Sequence, residues 1–323
     1  MDSRTSREED ERLPARQGNG SVPRVAVVTD TTAYLPSALV EENGIQLVSL
    51  YVNWTDGSER ESEMPNFDGF YERLRASEQL PTTSQPSIGD FLAVYEPLVE
   101  QGRSVVSIHI SGGISGTVES ARQAAERLAE RKTAGSVTVL DSESACGGLG
   151  LMALAAARAA LSGADAESVV DRARQARESL KMWFAVDTLE YLRRGGRIGA
   201  ASAWLGTALK VKPILTVERE IAPVERVRTG ARARRRLLDY AEQRRDDGAD
   251  AWVVQHIQAL AEAQQLVEEV QEIMGVAPVW VSEVGPVIGA HVGPGLLGVG
   301  GVPSAILEPR PASAIAPGRG DTV

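Results

Sequence analysis

Residues 105–132 read VVSIHISGGISGTVESARQAAERLAERK. The first six residues are a β-branched, apolar run with the character of a strand. A loop of Ser and Gly (111–117) follows, and from 118 to 132 the apolar Val118, Ala121, Ala125 and Leu128 fall at helical spacing. Strand, short loop and helix in that order is the unit from which a parallel sheet covered by helices is built. The unit recurs on both sides. Upstream, 25–28 (VAVV) predicts a strand ending in TDTT (29–32), with a helix over 36–42, an apolar run at 45–52, and helices over 67–76 and 88–102. Downstream, 137–140 predicts a strand and 148–162 a helix. Beyond residue 166 the pattern changes. Helices at 167–180, 232–245 and 260–274 alternate with strands at 183–186, 211–217, 251–257 and 278–284, and a further helix follows the stretch YLRRGGRIG, which together suit a mixed sheet. The expected fold is therefore α/β in two domains, an α/β/α parallel-sheet domain over 24–165 and a second α/β domain over 166–307. The polar or Pro/Gly-rich stretches 1–23 and 308–323 are expected to be disordered.

Composition agrees with a globular chain. Of 323 residues, 43% are hydrophobic and 24% charged, enough for a large core and unlike a disordered or fibrous protein. Cys146 is the single cysteine, which excludes an internal disulfide or a cysteine-rich zinc site and fits the cytoplasm as the default location. The first 23 residues carry no apolar run of signal-peptide character. Residues 284–307 carry no Asp, Glu, Lys or Arg, but their seven Gly and three Pro are incompatible with a membrane helix and predict buried turns and short strands. No integral membrane span is expected. The net charge of −10 argues against general nucleic-acid binding, yet between Arg193 and Arg245 fourteen basic side chains face five acidic ones. That stretch is +9 and the remainder −19. It reads either as a docking surface for an anionic partner or as a solvated helix face.

Three loops concentrate hydroxyls and glycines: TDTT (29–32), TTSQPS (82–87) and SGGISGT (111–117). Loops at the carboxyl ends of parallel strands share a crevice, so the first and third should face one site. Glycines in the third let its backbone approach a ligand, and the helix beginning near Thr117 offers N–H groups to an anion, with Ser111 and Ser115 adding hydroxyls. The same residues would also serve a turn and a helix cap with no ligand at all. Within that loop GISGT approaches the hydrolase elbow GxSxG, but Thr117 occupies the last position, and a Ser115–Asp187–His291 triad would be an arbitrary completion. SGGISG lacks the first Gly of a dinucleotide loop, and the chain has no GxxxxGK[ST] loop for ATP. His109 and His256 lie in apolar strands and read as core residues. His291 sits among the glycines and prolines of 285–295, predicted to be a rigid loop, where a polar ring in an apolar stretch requires a partner. Three dispersed histidines make no metal cluster, so no metal is expected.

Taken together, VTDTTAYLP (28–36), TTSQPS, SGGISGT, LDSESACGGLG (140–150), DTLEYLRRGGRIG (187–199), LKVKPILTV (209–217) with VERVRT (224–229), and GPVIGAHVGPGLLGV (285–299) resemble the ordered blocks of the DegV family. These are fatty acid-binding proteins that serve as substrate carriers of bacterial fatty acid kinase. The resemblance covers about residues 24–302. It implies a second domain with a six-stranded mixed sheet and one buried long-chain fatty acid, such as palmitate or oleate, as ligand, with no other cofactor. It also implies an ATP-dependent kinase subunit as partner, an acyl phosphate product feeding phospholipid synthesis through an acyltransferase, and no catalysis by this chain itself. By the resemblance Thr83, Ser115, the Gly116 N–H and His291 hold the carboxylate. Asp30, Thr31, Ser84, Ser111 and Thr117 form the neighbourhood, and Arg197 and Arg228 belong to the kinase-docking face. Val118 and Thr31 depart from the Tyr and Ser usual in the family at these places. For the acyl tail the sequence offers Leu149, Leu151, Met152 and the 284–307 stretch. The competing reading is an α/β serine hydrolase of acyl esters with Ser115 as nucleophile; a third is a nucleotide-binding regulator.

Overall fold

The computed structural model describes residues 23–131, 134–204 and 211–308. The stretches expected to be disordered, Pro23 and Glu308 apart, lie outside these residues, as do Leu209 and Lys210. The first half runs β1 (Val25–Asp30), α1 (Ser37–Glu42), β2 (Gln46–Val48), β3 (Tyr51–Trp54), β4 (Gly57–Arg60), α2 (Asp68–Ala76) and β5 (Thr82–Ser84). It continues through α3 (Ile88–Glu100), β6 (Ser104–His109), α4 (Thr117–Glu130), β7 (Val137–Asp141) and α5 (Cys146–Leu161). Strands β2-β1-β6-β7, in that order, form a parallel sheet. Every residue of β1 is buried, as a parallel strand covered on both faces requires.

The apolar run at 45–52 divides between two sheets. Its first part is β2, whereas its end opens β3, the centre of a small antiparallel sheet β4-β3-β5 that the periodicity does not anticipate. This third sheet carries Thr83. In α4 the buried alanine after Ala121 is Ala124 rather than the expected Ala125, so the buried stripe runs Val118, Ala121, Ala124, Leu128.

The second half runs α6 (Ala166–Ser179), β8 (Lys181–Ala185), α7 (Glu190–Arg194), β9 (Lys212–Glu218), β10 (Glu220–Val227), α8 (Gly230–Asp246), β11 (Ala251–His256) and α9 (Leu260–Met274). It ends with β12 (Trp280–Glu283), α10 (Pro286–Val292), β13 (Leu297–Val302) and α11 (Ser304–Leu307). Of the helix expected after YLRRGGRIG, the described part is a 3-10 segment, Gly199–Trp204, and 205–210 lie outside the described residues. The mixed sheet has six strands, ordered β10-β9-β8-β13-β11-β12, with only β11 and β12 parallel. Two departures from the sequence reading stand out. Strand β10 pairs with β9, and α10 replaces the rigid loop expected around His291.

Helix α5 joins the two large sheets. Thirteen of its sixteen residues are buried, which is the pattern of a helix covered on every side. One continuous core holds Val27 and Ile108 of the parallel sheet, Leu149, Leu151 and Met152 of α5, and Val253, Trp280 and Val302 around the mixed sheet. Close approach explains the small residues of α5: a Cβ on Gly150 would lie 2.9 Å from the Trp280 ring and one on Gly147 2.8 Å from Val253.

Candidate functional site

Below the N-terminal end of α5 the chain encloses a largely apolar cavity of about 1000 Å³, interstices and mouth included. Its apolar wall draws on Leu50, Ile114, Phe184, Leu192, Val284 and Ile288, from both halves of the chain. Leu149, Leu151 and Met152 are core residues and do not line it. The apolar residues of 284–307 divide: Val284, Val287, Ile288, Val292 and Leu296 line the cavity, while Val302 and Leu307 belong to the core beside α5.

Polar groups gather along part of the wall. Thr83 on β5 places Oγ1 2.7 Å from His291 Nε2 on α10, so the partner that an imidazole in an apolar stretch requires is a hydroxyl 208 residues away in sequence. Burial, and next the nearby Arg197 guanidinium, push the His291 pKa down to about 4, so the ring is neutral near pH 7. Its Nδ1 is buried and meets no hydrogen-bond partner. Gly195 stands directly against that nitrogen: a Cβ there would lie 2.4 Å from it.

The SGGISGT loop supplies the other polar groups. Ser115 and Gly116 line the cavity, and Ser115 Oγ lies 2.8 Å from Thr117 Oγ1 while accepting from the Thr117 N–H at 3.3 Å. Gly116 is the N-cap residue of α4 and has no side chain to block the helix end. A Cβ on it would meet Gln85 Nε2 at 2.9 Å, so its smallness lets TTSQPS and SGGISGT touch.

The remaining residues of the expected neighbourhood divide. Ser84 lines the cavity, its Oγ accepting from Asn53 Nδ2 at 3.2 Å. Asp30, Thr31, Ser111 and Thr117 do not line it. Buried Asp30 is a brace: Oδ2 accepts from the Ile110 N–H at 2.9 Å and faces His109 Nδ1 at 3.0 Å, while Oδ1 takes the Thr32 N–H at 3.1 Å. It thereby ties the end of β1 to the end of β6. Thr31 Oγ1 accepts from the Leu50 N–H at 3.3 Å, and Ser111 Oγ donates to the Arg219 carbonyl at 2.5 Å. His109 and His256 are buried strand residues, as expected.

Arg197 and Arg228 separate. Arg197 lines the cavity, with Nη1 donating to the Gly195 carbonyl at 2.7 Å, although its place in the sequence suggests a docking face alone. Arg228 is exposed and does not line the cavity. The acids Glu190 and Glu225 bond Arg193 and Arg236, not Arg197 or Arg228.

The hydrolase triad does not form. Asp187 is paired with Lys212, the His291 nitrogen that a triad acid would hold is unpartnered, and the other nitrogen meets Thr83 rather than Ser115. Among the described residues no group of three or more His, Cys, Asp or Glu is placed to hold a metal ion. No described helix is long and apolar enough to cross a membrane.

Sequence reasoning missed a large share of the wall, including Gln255, Cys146 and Met182. Gln255 on β11 is buried; its Oε1 accepts from the Gly147 N–H at 2.5 Å and its Nε2 donates to Ser282 Oγ at 3.0 Å. Cys146 adopts φ 54° at the start of α5, and burial drives its thiol pKa far up, so it lines the cavity as an apolar group. Met182 lines it from β8.

The fold is α/β, and the cavity is largely apolar with a hydroxyl–imidazole pair in its wall. Residues 24–304 match the family model described as "Uncharacterised protein, DegV family". Protein DegV of Bacillus subtilis is 36% identical over 278 residues, 85% of this chain and 98% of the relative. A DegV domain-containing protein of Streptomyces coelicolor is 40% identical over 278 residues, 85% of this chain and 97% of the relative. The chain belongs to the DegV family. Solved structures agree: a DegV family protein from Thermus thermophilus, reported for its fatty acid binding, superposes with TM-score 0.78 at 35% identity, covering 87% of this chain and 99% of that one. DegV from Bacillus subtilis, described as a fatty acid binding protein, gives TM-score 0.78 at 35% identity over 86% of this chain and 99% of that one.

Proposed function

We propose that this protein binds one long-chain fatty acid, palmitate, oleate or similar, with its tail in the cavity and its carboxylate at Thr83, Ser115 and the Gly116 N–H. The observation that carries this reading is the Thr83–His291 pair at 2.7 Å in a largely apolar wall, beside the open N-terminal end of α4. A carboxylate only accepts, so the Thr83 hydroxyl must donate to it. His291 then donates from Nε2 to Thr83 Oγ1 and leaves Nδ1 as the bare acceptor, which agrees with its lack of a partner. The neutral imidazole orients the hydroxyl without adding charge. About 14 buried methylenes at about 0.8 kcal/mol each supply on the order of 11 kcal/mol, so the tail dominates affinity and the head-group bonds fix its direction.

Mass spectrometry of lipid extracted from the purified protein tests this, with about one acyl chain per protein chain expected. A protein free of acyl chains that also ignores added palmitate and oleate sinks the reading. Thr83→Ala and Ser115→Ala should each weaken binding by about 1 to 3 kcal/mol, the usual cost of a lost bond to a charged group.

The finer reading is a non-catalytic, cytoplasmic carrier with domains 24–165 and 166–307 that presents the carboxylate to an ATP-dependent kinase subunit. The acyl phosphate so made would pass to an acyltransferase. Exposed Arg228 supports it as a cation available to an acidic partner. With the family's kinase subunit, ATP and hydroxylamine to trap acyl phosphate, Arg228→Glu should lower the yield roughly tenfold while palmitate affinity stays within about twofold. Equal yields from the two proteins would remove Arg228 from the docking face.

A further inference from the structure

Helix α10 carries His291, and residues of the first half of the chain hold it at both ends. At its start Gly285 offers no capping side chain, which leaves the first N–H groups of the helix without partners of their own. The Val287 N–H donates to Glu61 Oε1 at 2.8 Å and the Ile288 N–H to the Tyr34 hydroxyl oxygen at 3.3 Å. Tyr34 in turn donates its proton to Glu61 Oε1 at 2.9 Å. Tyr71 reaches the residues just upstream, its hydroxyl 2.6 Å from the Val284 carbonyl and 3.1 Å from that of Gly285. One turn after Val287, on the same face, His291 meets Thr83.

The sequence makes room for this grip. A Cβ on Gly285 would lie 2.8 Å from Glu61 Oε1 and from the Tyr34 ring, and one on Gly289 would lie 2.3 Å from the Tyr71 hydroxyl. Glu61 itself is only 3% exposed, and its Oε2 meets no partner. The titratable groups acting on it are Asp30 at the end of β1, Tyr34 in the turn that follows, Tyr71 on α2 and Cys146 at the start of α5; Thr31 adds a hydroxyl. None of these is a cation. A carboxyl group kept in such a place, without an ion-pair partner, is costly unless its bonds do something the fold requires.

We propose that Glu61 is a positioning residue for the carboxylate end of the cavity: through the Val287 N–H and Tyr34 it seats α10, and so sets His291 opposite Thr83. The geometry stands by itself; the effect on ligand rests on the fatty acid reading above.

Glu61→Ala removes the acceptor, and Glu61→Gln keeps an oxygen for the Val287 N–H and Tyr34. His291 is followed by NMR titration of its imidazole in delipidated protein, and palmitate affinity is measured beside it. In Glu61→Ala the loosened ring should titrate about one pH unit or more above its wild-type value, and palmitate should bind roughly tenfold more weakly. Glu61→Gln should restore both. An unchanged His291 titration in folded Glu61→Ala overturns the proposal, and so does Glu61→Gln behaving like Glu61→Ala. Should Glu61→Ala not fold, Tyr34→Phe replaces it, with a displacement of the His291 titration in the same direction expected and an unchanged titration again fatal. A wild-type protein that does not bind palmitate would sink the fatty acid reading and leave the His291 titration to decide the role of Glu61.

Discussion

Gly195 and Gly196 are adjacent glycines with different jobs. Gly196 has φ 71°, the left-handed conformation that favours glycine, with nothing near a Cβ. Gly195 has φ −77° and ψ −6°, open to any residue, and is required small chiefly because His291 Nδ1 fills the place of its Cβ at 2.4 Å, with the Tyr191 carbonyl oxygen at 3.1 Å. Gly195→Ala should therefore spare the backbone and displace the imidazole from Thr83. The expected result is a roughly tenfold loss of palmitate affinity with the fold kept, since φ −77° and ψ −6° are open to Ala. Unchanged affinity, measured beside a thermal melt, would mean that the ring can move without consequence. The sequence could single out His291, a polar ring in an apolar stretch, and the loop of hydroxyls at 82–87, within which only the resemblance to the DegV family marks Thr83. It could not single out Gly195, because a paired glycine reads as a turn whether it is kept for its torsion or for its missing methyl. Gln255 escaped for a related reason: on a strand a buried amide looks like any polar residue until its partners, Gly147 and Ser282, are brought to it.

At the scale of elements, legibility followed how much of each element its own residues determine. Strand β1 and helix α9 could be read because their apolar patterns match their burial, and the bounds expected for α9 coincide with those observed. Strand β10 could not. It is an edge strand whose polar residues face solvent, and Pro223 stands beside a bulge, where an edge tolerates a missing N–H. Helix α10 contradicts its composition: Gly289 costs about 1 kcal/mol in a helix interior, and the flanking glycines and prolines signal turns. It forms because Pro286 suits the first turn and because Tyr34, Glu61 and Tyr71 hold its start from elsewhere in the chain. Those contacts span more than two hundred residues, beyond the reach of local pattern.

The whole molecule changes the meaning of its charges. The +9 stretch contributes less field than its count suggests, because acids outside it pair with its cations: Glu190 with Arg193, Asp187 with Lys212, Glu269 with Arg234, Asp247 with Arg244 and Asp246 with Arg245. Sequence supplies the number of charges, and folding supplies the distances. Two buried groups then set opposing pH dependences of global stability. Burial raises Glu61 from 4.5 to about 7, so across that window the native state binds protons that the unfolded chain releases. Its contribution is fully present below pH 4.5 and is lost as pH rises through 7. His291, depressed from 6.5 to about 4, acts the other way: its contribution is present above pH 6.5 and is lost as pH falls through 4. Each is worth on the order of 3 kcal/mol, so between about pH 4.5 and 6.5 the two largely offset one another. Removing one exposes the other. Denaturant melts of Glu61→Gln should show stability rising with pH through the His291 window, and its advantage over wild type should grow from near zero at pH 4.5 to about 3 kcal/mol at pH 8. Parallel curves for the two proteins would mean that Glu61 keeps its ordinary titration in the folded molecule and is not buried as a carboxylate near pH 7.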